Sequence, residues 1–207
     1  MMNTNLNLAE IELPNIGGNV VFLKSGSMLD LGFPIFPCVP STKKPYKDSN
    51  GFKDATTDLK QISSWWIKHA DALVAMPTGK VSGYVVLDVD DRDGSDGKQP
   101  RDGSGNLDSL EQQYGKLPDT WEVLTPSGGR HFWFKYPDTE VRNTQSRIGE
   151  GLDIRGEGGY VIIPPSKKYH WEASNTKEPA EMPEWLIKLA TEKKKKHGKE
   201  KNSQQKV

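Results

Sequence analysis

The sequence predicts a mixed α/β fold of the α+β class, on the strength of three observations. The apolar, β-branched run Gly83–Asp91 has the composition of a buried strand that ends in carboxylates. Glycine-containing turns at 126–129 and 156–159 each separate two strand-like runs, as hairpin turns do. Helical periodicity follows Asp58 and Pro183. Short helices are therefore expected to pack against a sheet that contains hairpins.

Length and charge indicate one compact unit of catalytic size. The chain has 207 residues and a formal net charge of zero, so phosphate or nucleic-acid binding requires a local basic patch. The single cysteine, Cys38, excludes an internal disulfide and argues against a cysteine-built zinc site. No apolar run is long enough to span a bilayer, and residues 1–20 lack a signal-peptide pattern. We expect a soluble cytoplasmic protein with no membrane partner.

The amino-terminal segments are weakly patterned until the first helix. Residues 1–20 are expected to be a loosely ordered lead-in, and a short helix is predicted over 21–31. The proline-interrupted segment 32–40 can form at most an edge strand, because proline cannot donate to a ladder. A basic turn at 42–45 follows it. Asp58–Gln61 resembles a capping box that begins an amphipathic helix.

The predicted strand Gly83–Asp91 carries the first candidate functional pair. Side chains alternate along a strand, so Asp88 and Asp90 share one face while the intervening apolar residues face a core. Their Cα atoms would be roughly 6.5–7 Å apart, close enough for both carboxylates to share one or two cations. Two unpaired anions repel each other, which favours a divalent metal ion between them. The alternative is that a terminal aspartate caps the following turn.

The regions that flank this strand are simpler. Before it, Leu73–Met76 is a short predicted strand, and the turn at 77–83 lacks the spacing of a phosphate-binding P-loop. After it, residues 92–106 form a long glycine-rich loop that is either mobile or functional. The aspartates of this loop lack the register of a calcium-binding loop. A helix is predicted over Leu107–Tyr114.

Two predicted hairpins carry the other candidate residues. In the first, Trp121–Tyr136, the strand period places His131 opposite to an all-aromatic face, which we expect to pack in the core while His131 faces outward. In the second, Leu152–Ile163, Asp153 and Arg155 share one face of the first strand. A short amphipathic helix is predicted over 183–190.

In combination, these motifs resemble the archaeo-eukaryotic primase superfamily, and in particular its primase–polymerase (Prim-Pol) domains from phages, plasmids and prophages. That family has an Asp-x-Asp strand, a strand with a small residue and a histidine, and a third strand with a lone carboxylate. Here these motifs are Leu87–Asp90, Ser127–His131 and Leu152–Asp153. The likeness extends in order over about residues 30–167, and the glycine- and aspartate-rich loop after Asp91 departs from it.

The resemblance implies a fold, an activity and a set of site residues. The fold would be an archaeo-eukaryotic primase catalytic core over residues 21–190, with an α/β amino-terminal part packed on an RNA-recognition-motif-like antiparallel sheet. The activity would be template-directed nucleotidyl transfer by a DNA primase or polymerase that uses two metal ions. Catalytic and metal ligands would be Asp88, Asp90 and Asp153, whose oxygens suit Mg²⁺ or Mn²⁺ and not zinc. Nucleotide-binding residues would be Lys43, Ser127, His131, Arg155 and Ser166.

The resemblance also implies partners. A single-stranded DNA template, a primer and nucleoside triphosphates would bind the catalytic core. Residues 191–207 form a lysine-rich tail that is expected to be a disordered linker, and a helicase domain or partner is expected beyond it.

Two other functions remain open on the residues alone. The first is a metal-dependent phosphodiesterase or nuclease, because three aspartates with two metal ions serve hydrolysis equally well. The second is a non-catalytic DNA-binding replication module on the same scaffold, against which the intact aspartate trio argues.

Overall fold

The computed structural model describes residues 32–95, 97, 99–172 and 178–192. These residues form two main sheets and three α-helices. The predicted lead-in at 1–20, the predicted helix at 21–31 and the lysine-rich tail from residue 193 lie outside them. The strands are β1 (Phe36–Cys38), β2 (Leu73–Pro77), β3 (Tyr84–Val89), β4 (Asp91–Arg92), β5 (Arg101–Asp102), β6 (Trp121–Leu124), β7 (Arg130–Lys135), β8 (Thr144–Gly149), β9 (Leu152–Arg155), β10 (Tyr160–Ile162), β11 (His170–Trp171) and β12 (Ala180–Glu181). The helices are α1 (Leu59–Lys68), α2 (Gly103–Tyr114) and α3 (Glu184–Thr191), and a 3-10 helix spans Gly51–Asp54.

The larger sheet has β3 at its centre. Its strand order is β11-β6-β7-β3-β9-β8, with β12 beside β7. Every pairing along that order is antiparallel, and only the short β12–β7 pairing is parallel. Together with the helices, this sheet confirms the predicted α+β class, and the predicted hairpin of β6 and β7 is confirmed by their direct pairing.

The smaller sheet corrects one prediction. Its order is β1-β2-β10, so β10 pairs with β2 and not with β9. The predicted second hairpin over Leu152–Ile163 is therefore wrong. In the turn between β9 and β10, the Glu157 N–H donates to the Val141 carbonyl, and the Gly159 carbonyl accepts from the Thr78 N–H. These contacts lead the chain from the larger sheet to the smaller one instead of reversing it. The prediction that 32–40 forms an edge strand is confirmed by the position of β1.

Both faces of the larger sheet are buried. Leu87 and Phe134 pack on one face with α2 and α3, and Val86 and Trp133 pack on the other with the smaller sheet and α1. His131 lies on this second face and is 5% exposed. The prediction that His131 faces outward is thus wrong with respect to solvent, because the smaller sheet and the segment after it cover this face.

The loop predicted at 92–106 is largely structured. β4 and β5 pair as a small hairpin, and α2 begins at Gly103, earlier than the predicted Leu107. Asp102 caps α2 by accepting from the Gly105 N–H, and Gly103 lies where a Cβ would come within 3.0 Å of the Asp90 backbone. The predicted helix after Asp58 is confirmed, with Asp58 as its N-cap. Within the described ranges, no helix is long and apolar enough to cross a membrane.

Candidate functional site

A row of three polar residues crosses the centre of the larger sheet. His131 on β7 is the register partner of Asp88 on β3, and Asp88 is the register partner of Asp153 on β9. Register partners on adjacent antiparallel strands project from the same face of a sheet. The register therefore brings together residues from three motifs that are distant in the sequence.

This row adjoins a cleft with a volume of about 610 Å³. Cavities that bind small ligands and cofactors have volumes of roughly 300–1,000 Å³, so a nucleotide-sized molecule fits. The predicted site residues that line the cleft are Lys43, Asp88, Asp90, Ser127, His131 and Arg155. Carboxylates and cationic side chains thus line the same cleft.

Arg155 joins two of the carboxylates. Its Nε and Nη2 donate to Asp88 Oδ2 at 3.1 and 2.8 Å, and Nη2 also donates to Asp153 Oδ2 at 2.9 Å. Burial alone would lower the pKa of Arg155, but the negative charges of Asp88 and Asp153 outweigh burial and raise it. Asp88 is therefore not the unpaired anion that the sequence suggested, because it shares the guanidinium of Arg155 with Asp153.

Asp153 is the most enclosed carboxylate of the row. It is 4% exposed and does not line the cleft directly. Its Oδ1 accepts from the Ser146 N–H at 2.7 Å, so both carboxylate oxygens have donors. Ser146 has a φ of 45°, which is uncommon for a residue other than glycine, and it lies in an irregular part of the β8–β9 pairing. A backbone donor of this kind has no sequence signal, because any residue type carries it.

Asp90 follows β3 and is held by a second arginine. Its N–H donates to the Gly151 carbonyl at 2.8 Å, and its Oδ2 accepts from Arg101 Nη1 at 3.0 Å. Asp88 and Asp90 both line the cleft, as the alternation of the strand predicts. Arg101 was missed by sequence reasoning, because it lies in the segment that was predicted to be an unstructured loop.

His131 is a buried imidazole that lines the cleft. Burial lowers its pKa, and the opposing effect of Asp88 does not offset the burial. Its Nε2 lies 3.5 Å from Asp88 Oδ1, while its Nδ1 is buried and has no hydrogen-bond partner within the part of the chain that the structure describes. The ring of Tyr169 lies 6.2 Å away, between centroids, and covers the histidine from the side.

The basic rim of the cleft is formed by the turn after β1. Lys43 has a φ of 58°, and its carbonyl accepts from the Tyr160 hydroxyl at 3.1 Å. Its Nζ lies 5.6 Å from the centroid of the Tyr169 ring, within the range of a cation–π contact. Lys44 also lines the cleft. Tyr160 and Tyr169 are cleft residues that the sequence did not identify, because aromatic residues in strands and turns usually pack in a core.

Of the predicted site residues, Asp153 and Ser166 do not line the cleft, and Ser166 is hydrogen-bonded to β2 instead. It is 3% exposed, and its hydroxyl accepts from the Val74 N–H at 2.8 Å and donates to the Val74 carbonyl at 3.3 Å. The hydroxyl hydrogen and one acceptor position of Ser166 are thus used within the fold. Ser166 therefore connects the chain after β10 to β2, and no hydroxyl hydrogen remains for a phosphate contact in this arrangement.

The donor set suits a hard divalent cation, although the ligands are not preassembled. In the described ranges, no three His, Cys, Asp or Glu side chains are arranged to hold a metal ion. Each carboxylate of the trio accepts from a guanidinium instead. Asp88 and Asp153 nevertheless converge on one cationic atom, Arg155 Nη2. Their oxygens fit Mg²⁺ or Mn²⁺, which would have to displace the guanidinium groups.

Comparison with known proteins is consistent with this site. A family model described as "Bifunctional DNA primase/polymerase, N-terminal" matches residues 27–185 of the 207-residue chain. The matched range includes the twelve strands of the described residues and every residue that lines the cleft. No curated protein matches the chain.

Proposed function

The chain belongs to the Prim-Pol family of bifunctional DNA primase/polymerase N-terminal domains, and on that premise we propose that it extends or initiates strands on single-stranded DNA. Nucleotidyl transfer is the general chemistry of this family. We assign the chain to the replication of a phage, plasmid or prophage. The observation that best supports the proposal is the His131–Asp88–Asp153 row beside a nucleotide-sized cleft with a basic rim.

The reaction joins a primer 3′-oxygen to the α-phosphorus of a nucleoside triphosphate. The bond from that phosphorus to the β-phosphate oxygen breaks, pyrophosphate leaves, and the 3′-hydroxyl loses its proton. When bound, two Mg²⁺ or Mn²⁺ ions would lower the pKa of the 3′-hydroxyl and neutralise the negative charge of the pyrophosphate. Asp88, Asp90 and Asp153 would hold these ions, whose preference for oxygen ligands they match.

The cleft residues bind and orient the triphosphate. Burial lowers the pKa of His131, and the neutral form can donate one hydrogen bond to a phosphate oxygen without adding a buried charge. Arg155 and Lys43 supply positive charge, and the guanidinium can bind two phosphate oxygens together. Ser127 also lines the cleft and offers a hydroxyl. Template and primer would approach from solvent, and a helicase domain or partner would follow the tail at 191–207.

A primer-extension assay tests this proposal. The protein is incubated with single-stranded template, labelled nucleotides and Mn²⁺ or Mg²⁺, with and without a primer. We expect Asp88→Asn and Asp153→Asn to reduce incorporation at least about 100-fold, because each removes a ligand charge at the reacting phosphate. The matched control is Asp138→Asn, at an exposed aspartate outside the cleft, which should retain full activity.

The role of His131 is tested by binding without turnover. We expect His131→Gln to weaken the affinity for a non-hydrolysable nucleotide, since a hydrogen bond to a charged group contributes about 1.5–3 kcal/mol. Unchanged nucleotide binding with a slower chemical step would instead identify His131 as a general acid. Shortening of the template without incorporation would identify a nuclease, and DNA binding without either reaction would identify a non-catalytic module.

A further inference from the structure

The β4–β5 hairpin brings a cation to Asp90. The two strands pair through Asp91 with Asp102 and Arg92 with Arg101. This register places Arg101 against the chain just after β3, where its Nη1 lies 3.0 Å from Asp90 Oδ2. The side chains of Arg101 and Asp90 are 23% and 30% exposed, so this ion pair is less screened by water than a surface pair.

The hairpin is fixed to the site at both ends. Asp91 accepts from the backbone N–H and the hydroxyl of Ser104 at 2.8 and 2.5 Å, which ties β4 to the first turn of α2. Asp102 caps the same helix. The Asp90 N–H donates to the Gly151 carbonyl, so the backbone of Asp90 is held from the other side. Arg101 is thus directed at Asp90 by a braced element and not by a free loop.

Arg101 and Arg155 contact different aspartates: Arg101 contacts Asp90, whereas Arg155 contacts Asp88 and Asp153. Arg155 lines the cleft and can reach a bound triphosphate, whereas Arg101 is not among the cleft-lining residues. The contact that Arg101 makes at this site is the one to the Asp90 carboxylate, at 3.0 Å. The position of Arg101 suits a group that acts on the carboxylate alone.

We infer that Arg101 is a positioning residue: it is the counter-cation of Asp90, holds the Asp90 carboxylate in place and competes with the divalent ion for it. This inference rests on the proposed metal-binding role of Asp90. In the absence of the ion, the salt bridge to Arg101 keeps the Asp90 carboxylate in place and balances its negative charge. The ion must displace one charge-assisted hydrogen bond to complete its ligand set, which lowers the affinity of the site for free metal.

Mn²⁺ binding to the full chain without nucleotide tests the competition. Free Mn²⁺ is measured by electron paramagnetic resonance for wild type, Arg101→Gln and Arg92→Gln. We expect Arg101→Gln to bind Mn²⁺ about five- to tenfold more tightly, since it removes the competing charge from a partly screened ion pair. Arg92→Gln is the matched control, because Arg92 is the register partner of Arg101 and donates to the Gln99 carbonyl instead of a carboxylate. It should leave Mn²⁺ affinity unchanged.

A second variant and a second ligand complete the test. In the Asp90→Asn background, Arg101→Gln should no longer change Mn²⁺ affinity, because the two residues act through one contact. Affinity for a non-hydrolysable nucleotide at saturating Mn²⁺ should be equal in wild type and Arg101→Gln. Circular dichroism of each variant establishes that it is folded.

Three results would overturn the inference: equal or weaker Mn²⁺ binding by folded Arg101→Gln, an equal gain in the Arg92→Gln control, or a loss of nucleotide affinity that makes Arg101 a nucleotide ligand. The proposed function fails separately. If Asp88→Asn and Asp153→Asn leave Mn²⁺ binding and incorporation intact, the metal site itself is wrong. If they abolish both while Arg101→Gln has no effect, only the role of Arg101 is wrong.

Discussion

Replacement of Arg155 by methionine is the perturbation that tests the charge balance of the site most directly. The change removes the donor that Asp88 and Asp153 share, and it leaves Asp153, which is 4% exposed, with one backbone donor. Removal of one partner from a buried ion pair costs about 3–5 kcal/mol. The Arg155 side chain is 28% exposed, so water screens part of the remaining charge, and we expect a loss of about 2–4 kcal/mol.

This loss is measured by urea denaturation in the presence of a chelator. For a chain of this length, 1 kcal/mol corresponds to roughly 2–4 °C in Tm, so thermal unfolding of Arg155→Met should shift down by roughly 5–15 °C. The matched control is Arg142→Met, because Arg142 pairs with Glu140 at the surface and its side chain is 77% exposed. That control should remain within about 0.5 kcal/mol of wild type.

Divalent ions provide the second part of this experiment. A ligand at about 100 times its dissociation constant stabilises the folded state by about 2.7 kcal/mol. Mn²⁺ should stabilise Arg155→Met more than wild type, because the ion takes the position that the guanidinium has vacated. If Arg155→Met unfolds within about 0.5 kcal/mol of wild type in chelator, the two carboxylates do not depend on Arg155, and the reasoning is refuted.

Further predictions concern the scaffold. Ser166→Ala should cost about 1–3 kcal/mol in urea denaturation, because it leaves the buried Val74 N–H without an acceptor, and it should not change nucleotide affinity. The control is Ser127→Ala, at an exposed position, which should leave the free energy of unfolding within about 0.5 kcal/mol of wild type. Weaker nucleotide binding by Ser166→Ala would show that Ser166 contributes to the site. Asp58→Ala should cost about 1 kcal/mol by removing the N-cap of α1, and Asp58→Ser should recover most of the loss; equal stability of all three would contradict the cap. Burial raises the pKa of Cys38 to about 12, so the thiol stays protonated and should not react with a disulfide reagent at pH 8 until urea unfolds the chain. A native-state rate equal to that of a free thiol would contradict this.

The strands that hold the site were predictable because their signals are local. β3, β7 and β9 each combine β-branched or aromatic residues with a polar residue at a fixed phase, and this phase determines the face of each side chain. Asp88 and Asp153 were therefore identified on strands, and the structure then placed them in one row. The order of the strands in the sheet is not a local property, so the sequence alone could not establish that His131 and Asp153 flank the same aspartate.

The errors have non-local causes. A glycine turn between two apolar runs is compatible with a hairpin and with a crossing between sheets, and only the pairing of β10 with β2 distinguishes them. His131 alternates with aromatic residues as a solvent-facing residue does, but a second sheet covers its face. Arg101 and Ser146 act through contacts with residues that are distant in the sequence, and neither belongs to a motif.

The two arginines give the three aspartates a state that is stable without metal. Three carboxylates with two guanidiniums carry one net negative charge, so the like-charge repulsion that the sequence suggested is mostly cancelled. On the proposed mechanism, arrival of divalent ions would release the guanidinium of Arg155 next to the cleft, where the triphosphate binds. The same exchange would then free a cation for the substrate at the moment the metal ligands are occupied, which couples metal binding to nucleotide binding. Tighter nucleotide binding in Mn²⁺ than in chelator, with most of that gain lost in Arg155→Met, is the result that this coupling requires.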